Sequence, residues 1–262
     1  MPGADVSFFG LGASLVLVAV GVGLSLWQRL GLETRILWAS ARAIVQLLLV
    51  GFALALVLDP DIPLVWSWLW IVGMVLFAAD VVRRRVAGEV QGIMPLALLA
   101  YLASAAVTLG SLFGLGIFPL EGRTLVPLAG MMVGNSMNAT VLAARRVVEE
   151  LRDKAAEVEI RLALGLSYRQ AARPYLSSAL RTALIPQVET TKAVGLVFLP
   201  GAMTGLILAG VDPLDAVLVQ AVIMFMVLGA AATTTTVIGL GMLDHLFTRD
   251  HRLLPIPPAT SA

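Results

Sequence analysis

EIRLALGLSYRQAARPYLSSALRTALIP, residues 159–186, is the most polar long passage in a chain that is otherwise almost entirely apolar. Apolar blocks of membrane length flank it on both sides, which makes it a cytosolic feature of a membrane protein. Ahead of it, Val148, Leu151, Ala155, Val158 and Leu162 recur at helical spacing. Arg146/Glu150, Glu150/Lys154 and Glu157/Arg161 supply opposite charges four residues apart on the other faces. That pattern predicts a solvated amphipathic helix. It should stop at Gly165, because glycine takes the left-handed C′ conformation without a Cβ penalty. Ser167 and Gln170 then form an S-x-x-Q capping box that restarts a helix, and Pro174 should limit how far the new helix runs. Helix, sharp turn, short helix and break are therefore expected before the chain re-enters the membrane.

A short rigid helix at the cytosolic face can sit in a groove of a soluble partner and convert that partner's movement into movement of membrane helices. Glu159 followed six residues later by Gly165 resembles the interaction loop of bacterial ABC-transporter permeases. Glu159, Gly165, Ser167, Arg169 and Gln170 are the coupling residues on this reading. The alternative is a solvated inter-helix loop with ordinary caps.

Composition decides the class. With 59% hydrophobic and 13% charged residues in 262 and a mean hydropathy of +0.92, a soluble domain could not hide its apolar surface. An all-α polytopic membrane protein is expected, because a spanning helix needs about 20 apolar residues and the length then allows roughly seven spans. These fall at about Val6 to Trp27, Ile36 to Leu58, Ile62 to Val82, Ile93 to Phe118, Leu125 to Ala144, Ala193 to Val211 and Ala216 to Leu243. The whole chain reads as one permease domain, with a cytosolic insert at about 145–192 and a disordered tail at about 245–262. A net charge of +1 with no basic cluster gives no reason to expect nucleic acid, and the absence of cysteine excludes disulfides and thiolate metal sites. The start MPGADVSFFG lacks a basic n-region and carries Asp5, so no cleavable signal peptide is expected.

Lys and Arg sort the loops. Arg29, Arg35, Arg83 to Arg85, the insert from Arg145 to Lys192, Arg249 and Arg252 fall on one side. Arg123 stands alone on the other, beside Asp5, Asp59, Asp61, Glu121, Asp212 and Asp215. The positive-inside rule puts the amino terminus outside and the carboxyl terminus in the cytosol, which requires an odd number of spans.

Polar groups inside spans need a reason. Arg42 and Asp80 are near the cytosolic ends of their spans and can snorkel, or can pair with each other. In the fifth span Met131, Asn135, Asn138 and Leu142 share one face, while Gly130 and Gly134 make a small-xxx-small surface. The two asparagines either bond across helices or line a wet path. Glu189 and Lys192 can form an ion pair, or Glu189 with Thr190 beside it can offer hard oxygen ligands to a metal cation. Thr233 to Thr236 should bond back to their own helix. There is no G-x-x-x-x-G-K-[ST], so the chain is not its own P-loop ATPase, and the absence of H-E-x-x-H removes a zinc protease. Both histidines lie in the tail, out of reach of an intramembrane nucleophile.

Three runs carry a resemblance: PLAGMMVGNSMNAT, ALGLSYRQA and ALIPQVETTKAVGLVFLPGAMTGLILAGVDPLDAV. They resemble the iron-export ABC permease (FetB-like) family, which is related to plant aluminium-tolerance permeases. The likeness is close from Pro127 to Val217 and holds elsewhere by hydropathy and length. It implies a seven-span, non-enzymatic permease of the inner membrane that pairs with a P-loop ATPase subunit and forms a homodimer. It further implies that this permease exports iron or protects against metal stress, with no cofactor of its own and with ATP bound on the partner. The substrate path on this reading includes Met131, Asn135, Asn138, Glu189 and Thr190. Alternatives are a non-metal cargo such as a nucleotide sugar, a membrane scaffold or sensor that docks a cytosolic partner, and a proton-driven carrier.

Overall fold

The computed structural model describes residues 8–59, 62–86, 90, 92–248 and 250–256. Val6 at the start of the first span, together with Asp5, Asp61, Arg249 and the tail beyond residue 256, lies outside the described residues. Among the described residues all regular structure is helical: α1 (Phe8–Trp27), α2 (Glu33–Val57), α3 (Val65–Val86), α4 (Ile93–Gly114), α5 (Gly122–Asp153), α6 (Ala155–Ala163), α7 (Tyr168–Ala193), α8 (Gly201–Leu208) and α9 (Pro213–Leu246). Five of them, α2, α3, α4, α5 and α9, are long and apolar enough to cross a membrane.

The core is built by α3, α4, α5, α7 and α9 packing on one another. Its fully buried side chains include Val82, Tyr101, Leu125, Met132, Val147, Leu151, Ile238 and Met242. α7 lies tightly against α9: a Cβ added at Gly239 would come within 2.8 Å of Leu180 Cδ2 and 3.0 Å of Leu176 Cδ1. Thr233 and Thr235 donate to Gly229 O (2.8 Å) and Ala231 O (2.7 Å), the back-bonding that keeps a hydroxyl satisfied inside an apolar helix. By contrast α1 and α2 pack against each other, and α2 buries no residue. At its far end this hairpin meets the core, where Arg123 Nε donates to Leu58 O (3.3 Å).

Several expectations are corrected. α5 does not end near Ala144 but continues to Asp153, and α4 stops at Gly114 rather than Phe118. The apolar stripe does pack inward, with Val148, Leu151 and Val158 fully buried. The ion pairs, however, form three residues apart, Arg146–Glu149 and Lys154–Glu157, each at 2.8 Å. Glu150 instead accepts from Ser178 Oγ on α7 at 2.8 Å. Asp80 pairs with Arg83 and Arg84 on its own helix and not with Arg42.

The larger correction concerns α7. Pro174 does not stop it; the helix runs through both Pro174 and Pro186. A mid-helix proline costs about 3 kcal/mol or more. Burial of Ala171, Ala172, Tyr175, Leu176, Ala179 and Ala183 against α5 and α9 outweighs that cost. Within the segment expected as the insert, 145–192, α7 thus runs back along the bundle as far as Ala193.

The segment from Ala193 to Val211 is not one spanning helix either. Residues 194–200 are non-helical, and only Gly201–Leu208 is wound. Nor is the described part of the tail disordered. Phe247 bridges to Leu253, Leu254 N donates to Leu246 O at 2.9 Å, and Phe247 is buried, so apolar contact folds residues 247–254 back on the bundle.

Candidate functional site

The register between α7 and α5 places the site. Ser178 of α7 bonds Glu150 of α5, and the two helices run in opposite directions. At 1.5 Å per residue, the end of α7 at Ala193 comes level with Asn135, about 20 Å along α5 from its start. α7 therefore stops midway along the bundle. Gly195 takes φ +83°, a left-handed value that favours glycine. Its N–H donates to Phe198 O at 3.0 Å and closes the chain into a turn. Pro200 then opens α8, and Met203 N donates to the amide oxygen of Gln220, a buried residue of α9, at 3.2 Å. The segment expected as a single sixth span is thus helix, turn and short helix.

Beside this break lies a cavity of about 580 Å³. α5 lines it with Met131, Gly134, Asn135, Asn138 and Leu142, α7 with Pro186, Gln187 and Thr190, and the turn with Phe198 and Pro200. α9 adds Gln220, Ile223 and Met224. Irregular backbone at membrane depth is tolerated where it is covered by protein or borders a cavity. Four of the residues expected on a path, Met131, Asn135, Asn138 and Thr190, come together here. Glu189 does not: it is outside the lining and pairs with Lys192 Nζ at 2.8 Å. Gln187, Gln220 and Phe198 were missed from the sequence. Gln220 carried a signal, as a lone amide in the apolar run DAVLVQAVIM.

The lining has no ionisable side chain. It offers amides from Asn135, Asn138, Gln187 and Gln220, the Thr190 hydroxyl, and thioethers from Met131 and Met224. Part of that capacity is used locally. Asn135 Nδ2 donates to Met131 O (2.8 Å), Thr190 Oγ1 donates to Pro186 O (2.8 Å), and Asn138 Oδ1 accepts from Arg85 of α3 (3.3 Å). Among the described residues no group of three or more His, Cys, Asp or Glu is placed to hold a metal ion. Such a surface can strip part of the water from a polar solute by substituting neutral dipoles, without trapping a bare cation.

At its other end α7 begins in a stiff elbow. α6 closes with Gly165 at φ +87°; Gly165 N donates to Leu162 O (2.9 Å) and Leu166 N to Arg161 O (3.3 Å), the paired bonds of a Schellman motif. Two residues on, Ser167 N donates to Gln170 Oε1 (3.1 Å) in the expected capping box. Glu159 is exposed on α6. Arg169 bonds Asp244 of α9 at 3.1 Å, and Tyr168 Oη donates to the same carboxylate at 2.6 Å. The tail adds a third tie: Tyr168 N donates to His251 Nδ1 at 3.4 Å, and the Tyr168 ring is 5.4 Å from the rings of Phe247 and His251. Behind the elbow, Lys154 and then Tyr175 hold the Glu157 carboxyl below the usual glutamate range. One continuous helix of about 39 Å thus joins a braced elbow to the wall of a polar cavity.

Comparison with known proteins places the chain among membrane proteins. Residues 8–247 match the family described as "Uncharacterised protein family (UPF0014)". The chain is 39% identical over 223 residues to the "UPF0014 membrane protein STAR2" of Oryza sativa subsp. japonica, covering 85% of this chain and 78% of the relative. It is 34% identical over 245 residues to "Protein ALUMINUM SENSITIVE 3" of Arabidopsis thaliana, covering 92% and 88%. With the "Probable iron export permease protein FetB" of Escherichia coli (strain K12) it shares 33% over 227 residues, 87% of each. No solved structure matches the chain.

Proposed function

The chain belongs to the UPF0014 family of multi-pass membrane proteins, and from that premise we propose that it is the permease subunit of an ABC transporter, driven by a separate P-loop ATPase. The observation that carries this reading is α7, which runs from the elbow at Gly165 to Arg169 directly into the wall of the cavity at Thr190. Closure of ATPase subunits on the elbow would move α7 as a lever. Its far end meets the turn at 194–200, where few bonds need remaking for the cavity to change access. The chain itself does no chemistry, and ATP is bound on the partner.

The topology that goes with this is seven crossings, formed by α1 to α5, the broken unit of α7 and α8, and α9. Arginine-rich ends mark the cytosol, with the amino terminus outside, in the inner membrane of a bacterial cell. The whole chain forms one permease domain. Two permeases and two ATPases give the expected two-fold assembly.

The cargo is iron or another metal, exported in support of metal and oxidative stress resistance; the name of the Escherichia coli relative, a probable iron export permease, supports iron and the outward direction. The neutral lining suits a metal carried as a hydrated ion or a complex. The same lining keeps a second reading, a non-metal polar cargo, in play. The test is reconstitution of the permease with its ATPase in vesicles. Iron efflux that needs ATP and falls at least tenfold in Asn135→Leu is expected. ATP hydrolysis stimulated by the permease without any iron flux would discard the metal cargo, and no stimulation at all would leave a scaffold.

A further inference from the structure

We propose that α2 of a second copy closes the open side of the cavity, setting Arg42 and Gln46 against Asn138 and Asn135 of its partner. The inference rests on the reading of the cavity as a path through the membrane. α2 is a membrane-length helix with no buried residue. Arg42 and Gln46, one turn apart on it, are exposed and have no hydrogen-bond or ion-pair partner among the described residues. A guanidinium within a span is costly unless a neighbouring helix receives it.

The receiving surface is found by depth. Arg42 lies about 10 Å inside Arg35 along α2, and Asn138 lies about 10 Å inside Arg145 along α5. Gln46 and Asn135 match in the same way, about 16 Å inside Arg35 and about 15 Å inside Arg145. The chemistry is complementary. Asn135 spends its amide donor on Met131 O, which leaves its carbonyl oxygen as an acceptor for a guanidinium or a glutamine amide. Gly134 beside it has open space where a Cβ would point, room for a second helix to approach. α2 on α5, repeated by a two-fold axis, brings Arg42 and Gln46 to the free carbonyl of Asn135 and to the remaining lone pair of Asn138 Oδ1, which already accepts from Arg85 at 3.3 Å, and completes both cavities at once.

The chain has no cysteine, so disulfide trapping reads this contact directly. A copy carrying Gln46→Cys is co-expressed with a differently tagged copy carrying Asn135→Cys, and membranes are oxidised with copper phenanthroline. A disulfide-linked dimer bearing both tags is expected, at least fivefold above the yield with Leu47→Cys, which points to another face of α2. Adding Arg42→Leu should lower the yield severalfold, and Arg42→Lys should restore much of it. Yields equal to those of Leu47→Cys, or a dimer formed as readily by Gln46→Cys alone, would overturn the proposal. So would a double variant that closes only within one chain. The readout needs no transport. A cross-link without ATPase stimulation would count against the transporter alone, and stimulation without a cross-link against this contact alone.

Discussion

Two places interrupt the helices around α7, and they are made differently. At the elbow the stop is local: Gly165 in a left-handed conformation, two Schellman bonds, then the Ser167–Gln170 box, all within ten residues. At the other end, residues 194–200 are held by two turn bonds, Gly195 N to Phe198 O and Val197 N to Ala193 O, with Phe198 and Pro200 against the cavity and Leu196 and Val197 exposed. A turn built from its own hydrogen bonds transmits force without yielding. A turn with no side-chain cap and an exposed middle can be remade at the cost of few contacts. Stiffness at one end and compliance at the other suit a lever whose fulcrum is the α7–α9 contact.

The contrast can be broken most forcefully at that fulcrum. Gly239→Leu would push Leu176 and Leu180 off α9; a loss of about 1–3 kcal/mol is expected, seen as a lower melting temperature in detergent together with lost ATPase stimulation. Next, Gly165→Ala strains only the backbone, since nothing lies within 4 Å of an added Cβ. It should cost about 1–2 kcal/mol, read as faster amide exchange at Leu166 and Tyr168 with the cavity unaffected. Ser167→Ala removes the cap, and about 1 kcal/mol of local protection should go with it.

Asn135→Leu belongs to the opposite class. Its stability should stay within about 0.5 kcal/mol of the parent while transport falls, because Asn135 is exposed in the cavity wall rather than packed. The smallest effect concerns pH. Glu157 titrates lower folded than unfolded, because Lys154 and Tyr175 favour its carboxylate. Its contribution is therefore present above the unfolded pKa and fades as the pH drops through the folded one. Melting curves of Glu157→Gln should lack that acid-side component.

The elbow was legible because its rules span a few residues: glycine at C′, serine at the N-cap, glutamine three further on. The face shared by Met131, Asn135 and Asn138 was legible for the same reason, since helical periodicity assigns it without reference to other helices. Pro174 misled because its cost is local and its compensation is not; Ala172, Leu176 and Ala179 are buried only once α5 and α9 are in place. Hydropathy likewise read Ala193 to Val211 as a span, although Gly195 and Pro200 divide it. Glu189 looked like a ligand beside Thr190, yet the two point to different sides of α7, one to Lys192 and the other to the cavity. Charge counts gave no sign of the reach of α7, whose polar surface resembles an aqueous insert.

The carboxyl-terminal residues resting on Tyr168 have a practical corollary. Whatever grips the start of α7 must displace or incorporate the segment around Phe247 and His251, so a bulky fusion there would handicap the molecule. A small environment-sensitive dye near Leu254 would, by the same proximity, report engagement of the proposed ATPase as a change in brightness.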